Sequence, residues 1–205
     1  MARSRIVILT TALAALVVLA GCTTSEAGSA KPDPTSEPTS GSEPTSESPP
    51  SSEFPSPPEE LSLAGLDPCT LLTDAQRTQL KIDAAEPSIG ESAIYKDMKV
   101  CAFDVDTEPF RTYDVTAVTN VDFSFWLTED TNAEAELTSI GGFPAAEFKT
   151  RGGDGHDCSI ALGVAKNQHL HVEMSPLDEQ LTQEELCQAS EQAAEMVLQT
   201  LQTLK

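Results

Sequence analysis

The sequence predicts an α+β domain: an antiparallel β-sheet flanked by a short N-terminal helix and a long C-terminal helix packed on one face, braced by two disulfides. Three observations carry this reading. Apolar and polar residues alternate along several short runs bounded by turn residues, the period-two mark of half-buried strands. The segment after Thr182 carries an apolar stripe of helical period behind a capping signal. Four cysteines, Cys69, Cys101, Cys158 and Cys187, form an even set downstream of an export-type leader.

The leader comes first. Arg3 and Arg5 supply positive charge, and Ile6 to Ala20 is uncharged and mostly apolar. That run is short for a bilayer span and ends in small residues, so residues 1–21 read as a signal peptide. Leu19-Ala20-Gly21-Cys22 has the form of a lipobox, in which the cysteine is lipidated and opens the mature chain. The expected location is the extracytoplasmic face of a cell membrane, with Cys22 as the lipidation site. Residues 22–59 are dominated by Pro, Ser, Thr and Glu; Ser36-Glu37-Pro38-Thr39-Ser40 recurs as Ser42-Glu43-Pro44-Thr45-Ser46. Too few large apolar side chains are present to offset the ordering entropy, so this stretch is expected to be a disordered tether. Fully extended, at ~3.1 Å per residue, it would reach roughly 110 Å.

Residues 60–205 are expected to form the single folded domain. Thr73 opens a short helix to about Leu80, with Gln76 completing a capping box. Val100 to Phe103 has strand character. Tyr113, Val115, Ala117, Thr119 and Val121 alternate with Asp114, Thr116 and Asn120, and Phe123, Phe125 and Trp126 are expected to pack the core near that strand's end. Thr128 to Glu136 reads as an acidic solvent loop. Gly141-Gly142-Phe143-Pro144 turns into a strand at Ala145 to Lys149. Ile160, Leu162 and Val164, then Leu170, Val172 and Met174, mark two strands joined around Lys166-Asn167-Gln168 as a hairpin. The C-terminal helix is capped by Thr182 with Glu185. Its stripe is Leu186, Ala189, Ala193, Val197, Leu201 and Leu204.

Four cysteines allow three pairings. Cys69–Cys101 with Cys158–Cys187 is favoured because each closes a loop of about thirty residues, worth roughly 3–4 kcal/mol in the loop-entropy account. No Cys-x-x-Cys occurs, which argues against a zinc site or a thioredoxin-like pair. The net charge of −21, from 33 acids and 12 bases, repels phosphate backbones, so no nucleic-acid partner is expected.

Candidate chemistry is sparse. His169 and His171 share one strand face with Glu173 and could offer metal ligands; the alternative is a solvent-exposed polar face opposite Leu170, Val172 and Met174, and no metal site is assigned. Asp154-Gly155-His156-Asp157 is a carboxylate-rich turn without EF-hand spacing. Asp104 and Asp106 are a chance pair in so acidic a chain. No nucleophile elbow, Walker loop, dinucleotide fingerprint or His-Glu-x-x-His helix appears, so neither catalytic residues nor a cofactor is expected.

Leu66-Asp67-Pro68-Cys69-Thr70-Leu71-Leu72-Thr73, Cys101 on a strand, Cys158-Ser159-Ile160-Ala161-Leu162, and Cys187 with Ala189 and Ala193 together resemble a family of actinobacterial lipoproteins filed as a domain of unknown function, family 3558. The resemblance spans about Leu61 to Lys205. One departure is Phe103, where that family often has tryptophan. The closing strand–cysteine–helix pattern is also similar to extracellular sensor domains of mycobacterial serine/threonine kinases. The resemblance implies a cell-surface binding or sensing module and no catalytic residues. The expectation is therefore a non-catalytic module, anchored to the membrane through lipid, that binds an envelope protein or a small-molecule ligand. Its site would be the bare sheet face or a groove beside the terminal helix, lined by Tyr113, Phe125 or Trp126. The alternatives are a structural envelope protein without a pocket, and a metal-dependent hydrolase that needs His169 and His171 to meet carboxylates from other strands.

Overall fold

The strands are β1 (Ala84–Ile89), β2 (Lys99–Val105), β3 (Arg111–Val118), β4 (Ala133–Ile140), β5 (Phe143–Thr150), β6 (Cys158–Ala165) and β7 (Gln168–Pro176). They form one antiparallel sheet in the order β1-β2-β3-β7-β6-β5-β4. The chain therefore fills the sheet from one edge to the middle, crosses to the far edge, and returns to close between β3 and β6. The computed structural model describes residues 54–152, 157–178 and 180–204. Cys22, residues 22–53 of the expected tether, and Asp154, Gly155 and His156 of the acidic turn lie outside the described residues.

Turn chemistry sets the hairpins. Gly141 and Gly142 both take positive φ, 55° and 84°, between β4 and β5, the backbone that a tight two-residue hairpin demands. Asn167, at φ 57°, turns β6 into β7. The C-terminal helix α2 (Gln183–Thr203) starts with the full Thr182–Glu185 capping box. A shorter helix, α1 (Asp74–Leu80), has the same device at Thr73 and Gln76. Gln76 Nε2 also donates to the Met196 carbonyl at 2.9 Å, which ties α1 to α2. Among the described residues no helix is long and apolar enough to cross a membrane.

Register assigns the side chains to two faces, because directly paired residues in an antiparallel ladder point the same way. The first face carries Cys101, Phe103, Tyr113, Val115, Ile160, Leu162, Leu170, Val172 and Met174, all buried. α2 covers it with Leu186, Ala193, Val197 and Leu201. Leu204, assigned to the stripe from sequence, is 52% exposed: it is the C-cap, one residue past the end of the helix at Thr203. Both disulfides lie on this side. Cys69–Cys101 fastens the 3-10 turn Pro68–Thr70 to β2, and Cys158–Cys187 fastens the first turns of α2 to β6, each with Cα atoms 5.0 Å apart.

Two readings are corrected, and one strand is added. The acidic loop expected over Thr128 to Glu136 becomes edge strand β4 from Ala133 onward, since Glu134 and Glu136 alternate with small alanines and face outward. Phe123, Phe125 and Trp126 do not join the main core: they form a 3-10 helix, Phe123–Leu127, capped by Asp122 and laid on the second face. Strand β1 replaces a segment that had no assignment; Pro87 is tolerated there because β1 is an edge.

Candidate functional site

The second face is built differently. Its central row runs Ala102, Asp114, Glu173, Ser159 and Phe148 across five strands; beside it runs Val100, Thr116, His171, Ala161 and Ala146. The middle is polar and only the β5 side is aromatic. The 3-10 helix covers that side. Gly163 makes room for it: a Cβ there would lie 2.5 Å from the Phe123 ring. Phe54, at the end of the tether, meets Phe123 edge-on with centroids 6.4 Å apart.

Trp126 lies flat on Phe148, with centroids 4.1 Å apart and planes 11° apart. Tyr95, from the loop between β1 and β2, lies on His171 at 4.8 Å and 25°. His171 and Phe148 form the lower layer on the sheet; Tyr95 and Trp126 form the upper one. Sequence reasoning found Trp126 and missed Tyr95 and Phe148. The only signal for Phe148 is its alternation with Glu147 along β5; Tyr95 belongs to a loop with no periodicity. Phe125 meets Trp126 edge-on at 5.3 Å. Tyr113, grouped with them from sequence, lies on the opposite face: it is 2% exposed, and its hydroxyl accepts a hydrogen bond from Arg111 Nε at 3.1 Å. One residue of register separates the two faces, so Tyr113 belongs to the core and not to this site.

His169 and His171 do share a strand face, but the face is covered there and both rings are buried. The solvent-exposed reading is corrected on this point. His169 Nδ1 lies 2.8 Å from the Val121 carbonyl, which can only accept, so Nδ1 carries the proton. Burial pulls His169 down to about 4, against the raising effects of that carbonyl and of Asp122. Burial and then His169 pull His171 down to about 3. Both are neutral imidazoles near neutral pH. Glu173 comes no nearer to His171 Nε2 than 3.8 Å. Its carboxyl is raised by burial first, against the Ser175 hydroxyl that donates to it at 3.0 Å. Asp114 is raised by burial and by Asp104. The Tyr95 hydroxyl is raised far above its ordinary range by burial and then by Glu173; the Trp126 N–H opposes this from nearby but outside hydrogen-bond geometry.

Tyr95 Oη, Trp126 Nε1, His169 Nε2, His171 Nε2 and Gln183 Oε1 are buried atoms without a hydrogen-bond partner. Native proteins hold few such groups, and ordered water is a common partner for them.

A groove of about 470 Å³ opens beside this aromatic layer along β4. Trp126, Phe148 and Ala135 line its apolar side; its polar side carries Glu134, Glu136, Glu147 and Gln183 together with two cations, Lys149 and Arg151. Burial, then Glu191 and Glu136, raise the Glu147 carboxyl. The Glu147 carboxylate also lies within 4.8 Å of both sulfurs of Cys158–Cys187. Sulfurs joined in a disulfide offer no thiolate, so this trio does not fit a metal. A second cleft, about 590 Å³, is lined in large part by the tether's own Phe54, Pro55 and Pro57.

A family model described as a protein of unknown function, DUF3558, matches residues 17–200. The chain belongs to the DUF3558 family. No curated protein and no solved structure matches it. The match takes in nearly the whole DUF3558 domain described above, both disulfides and the β4 groove included.

Proposed function

We propose that this DUF3558 protein is a non-catalytic binding module, held by lipid on Cys22 at the outer face of a membrane, and that its site is the groove along β4. The observation that carries the proposal is the coincidence, in one concavity, of the half-buried Trp126, the facing Glu136–Glu147 carboxylates and the Gln183 side-chain carbonyl, which no protein group bonds. Such a site recognises by contact and charge. It offers no nucleophile beside a base. The two imidazoles that could have served a hydrolase are buried, and His169 spends its one N–H on Val121. The lipobox and the proline-rich tether supply the address and the reach.

Two measurements test this reading. Cys22→Ala is expected to move the protein from the membrane fraction to the soluble one; full retention would overturn the anchor. A photo-crosslinking amino acid at position 135, in intact cells, is expected to give discrete adducts that the same group at position 89, on the opposite sheet edge, does not. Equal labelling from both positions, or none from either, would overturn the groove as the site.

A further inference from the structure

The groove follows the open edge of a strand. β4 is the last strand of the sheet and pairs only with β5. Every second residue of such a strand directs its N–H and C=O away from its neighbour. Among the described residues, the Ala133 carbonyl alone on β4 is taken by an outside group, Arg151 Nη2 at 3.0 Å. Edge strands are commonly blunted by proline, lysine or a bulge. The opposite edge strand, β1, has Pro87. β4, Ala-Glu-Ala-Glu-Leu-Thr-Ser-Ile, has no proline, lysine or bulge; its only charges are the two acids Glu134 and Glu136, which discourage pairing with another acidic strand, and it keeps an unbroken register with β5 over eight residues.

Its two sides differ in chemistry. Glu134 and Glu136 point to the α2 side, with Glu147 on β5 and Glu191 on α2 beyond them. Lys149 is bound to Glu134 at 3.1 Å, and among the described residues Glu136, Glu147 and Glu191 have no ion-pair partner. Ala133, Ala135 and Leu137 point to the other side, where Leu137 is 50% exposed and Trp126 stands over the groove.

We infer that β4 receives an extended basic peptide segment as an eighth strand, one whose lysines or arginines alternate with apolar residues. Its backbone would complete the β4 ladder, its cations would face Glu134, Glu136 and Glu147, and its apolar side chains would cover Leu137 and Trp126. This deepens the binding-module reading and rests on it. The chain's own tether fits poorly, since between Cys22 and Glu53 it has one basic residue, Lys31, and frequent proline. A second copy would bring two more carboxylates to an edge already in excess of them.

The full chain in detergent can be titrated with the octapeptide (Lys-Val)4, read by the fluorescence of Trp126, the only tryptophan, and by calorimetry. Saturable binding is expected. Loss of at least tenfold in affinity is expected for a twin methylated on alternate amides, and for the composition-matched block peptide Lys4Val4. The same loss is expected for Glu134→Lys/Glu136→Lys, with the melting temperature of the protein unchanged. Equal affinity for the methylated twin would overturn strand addition and leave charge alone. No saturable binding would overturn the basic occupant. A dimer by light scattering that Glu134→Lys/Glu136→Lys alters, with no response to peptide, would assign the edge to a second copy and overturn the proposal. Adducts from position 135 combined with no peptide binding would sink this inference while the module reading stands.

Discussion

The two faces of one sheet satisfy their side chains in opposite ways. Under α2 the face is apolar from β2 to β6, closed by a helix stripe and fastened by both disulfides. On the other side the row Asp114, Glu173 and Ser159, with His171 in the row beside it, is covered only in part, by one 3-10 helix and one loop, and buried polar atoms lack a protein hydrogen-bond partner. Hydrophobic burial alone accounts for the first face. The second face keeps buried and half-buried polar groups, Asp114, Glu173 and His171 among them, whose burial is costly unless they are hydrogen-bonded. The proposed binding site lies where the half-covered side meets the open sheet edge.

The largest expected effect tests the braced face. Removing Cys158–Cys187 by Cys158→Ser/Cys187→Ser should lower unfolding free energy by about 3–4 kcal/mol, from the loop of 29 residues it closes. Denaturant melts would show it. A loss under about 1 kcal/mol would mean that α2 is held by packing alone. Next comes Gly163→Ala. The added methyl meets the Phe123 ring at 2.5 Å, so a loss of about 1–3 kcal/mol is expected, with Trp126 fluorescence changed in the native state. No change would show that the 3-10 helix rests loosely on its face.

The third effect is a slope. His171 titrates near 3 in the fold and near 6.5 when unfolded, so the unfolded chain binds the extra proton between those values. Its contribution is complete above about 6.5 and is lost as pH falls toward about 3. Glu173 and Asp114, raised by burial, act in the opposite direction: their contribution is lost as pH rises. His171→Phe should therefore flatten the acid-side fall of stability by up to ~1.4 kcal/mol per pH unit within that window. An unchanged slope would show that the ring is solvated. The smallest effect concerns the tether. Deleting residues 23–52 should change stability by less than about 0.5 kcal/mol, whereas extending the deletion through Phe54 removes its edge contact with Phe123 and should cost measurably more. Equal melting curves would make Phe54 a bystander.

Local signals in the sequence reached far into this fold. Capping boxes at Thr73 and Thr182, the Gly141-Gly142 turn, the alternation through β3, β6 and β7, and the favoured cysteine pairing all have counterparts in the structure. β4 escaped because acidic residues alternating with alanine resemble a solvent loop when the neighbour strand is unknown. Of the aromatic residues singled out from sequence, Trp126 alone lines the groove, with Phe125 edge-on beside it. Tyr113 was misplaced because aromatic character does not reveal which side of a strand faces which layer, and Tyr95 and Phe148 reach Trp126 from distant parts of the chain.

By itself the sequence determined the two capped helices, the Gly141-Gly142 turn and the strand patterns of β3, β6 and β7, because capping, turn geometry and side-chain periodicity act over a few neighbouring residues. Tertiary structure alone decided which strands became edges, that His169 and His171 are buried and neutral, and that an acidic strand lies open beside an aromatic layer. Those properties depend on strand order and register, which place residues far apart in the chain against one another and which no local pattern encodes.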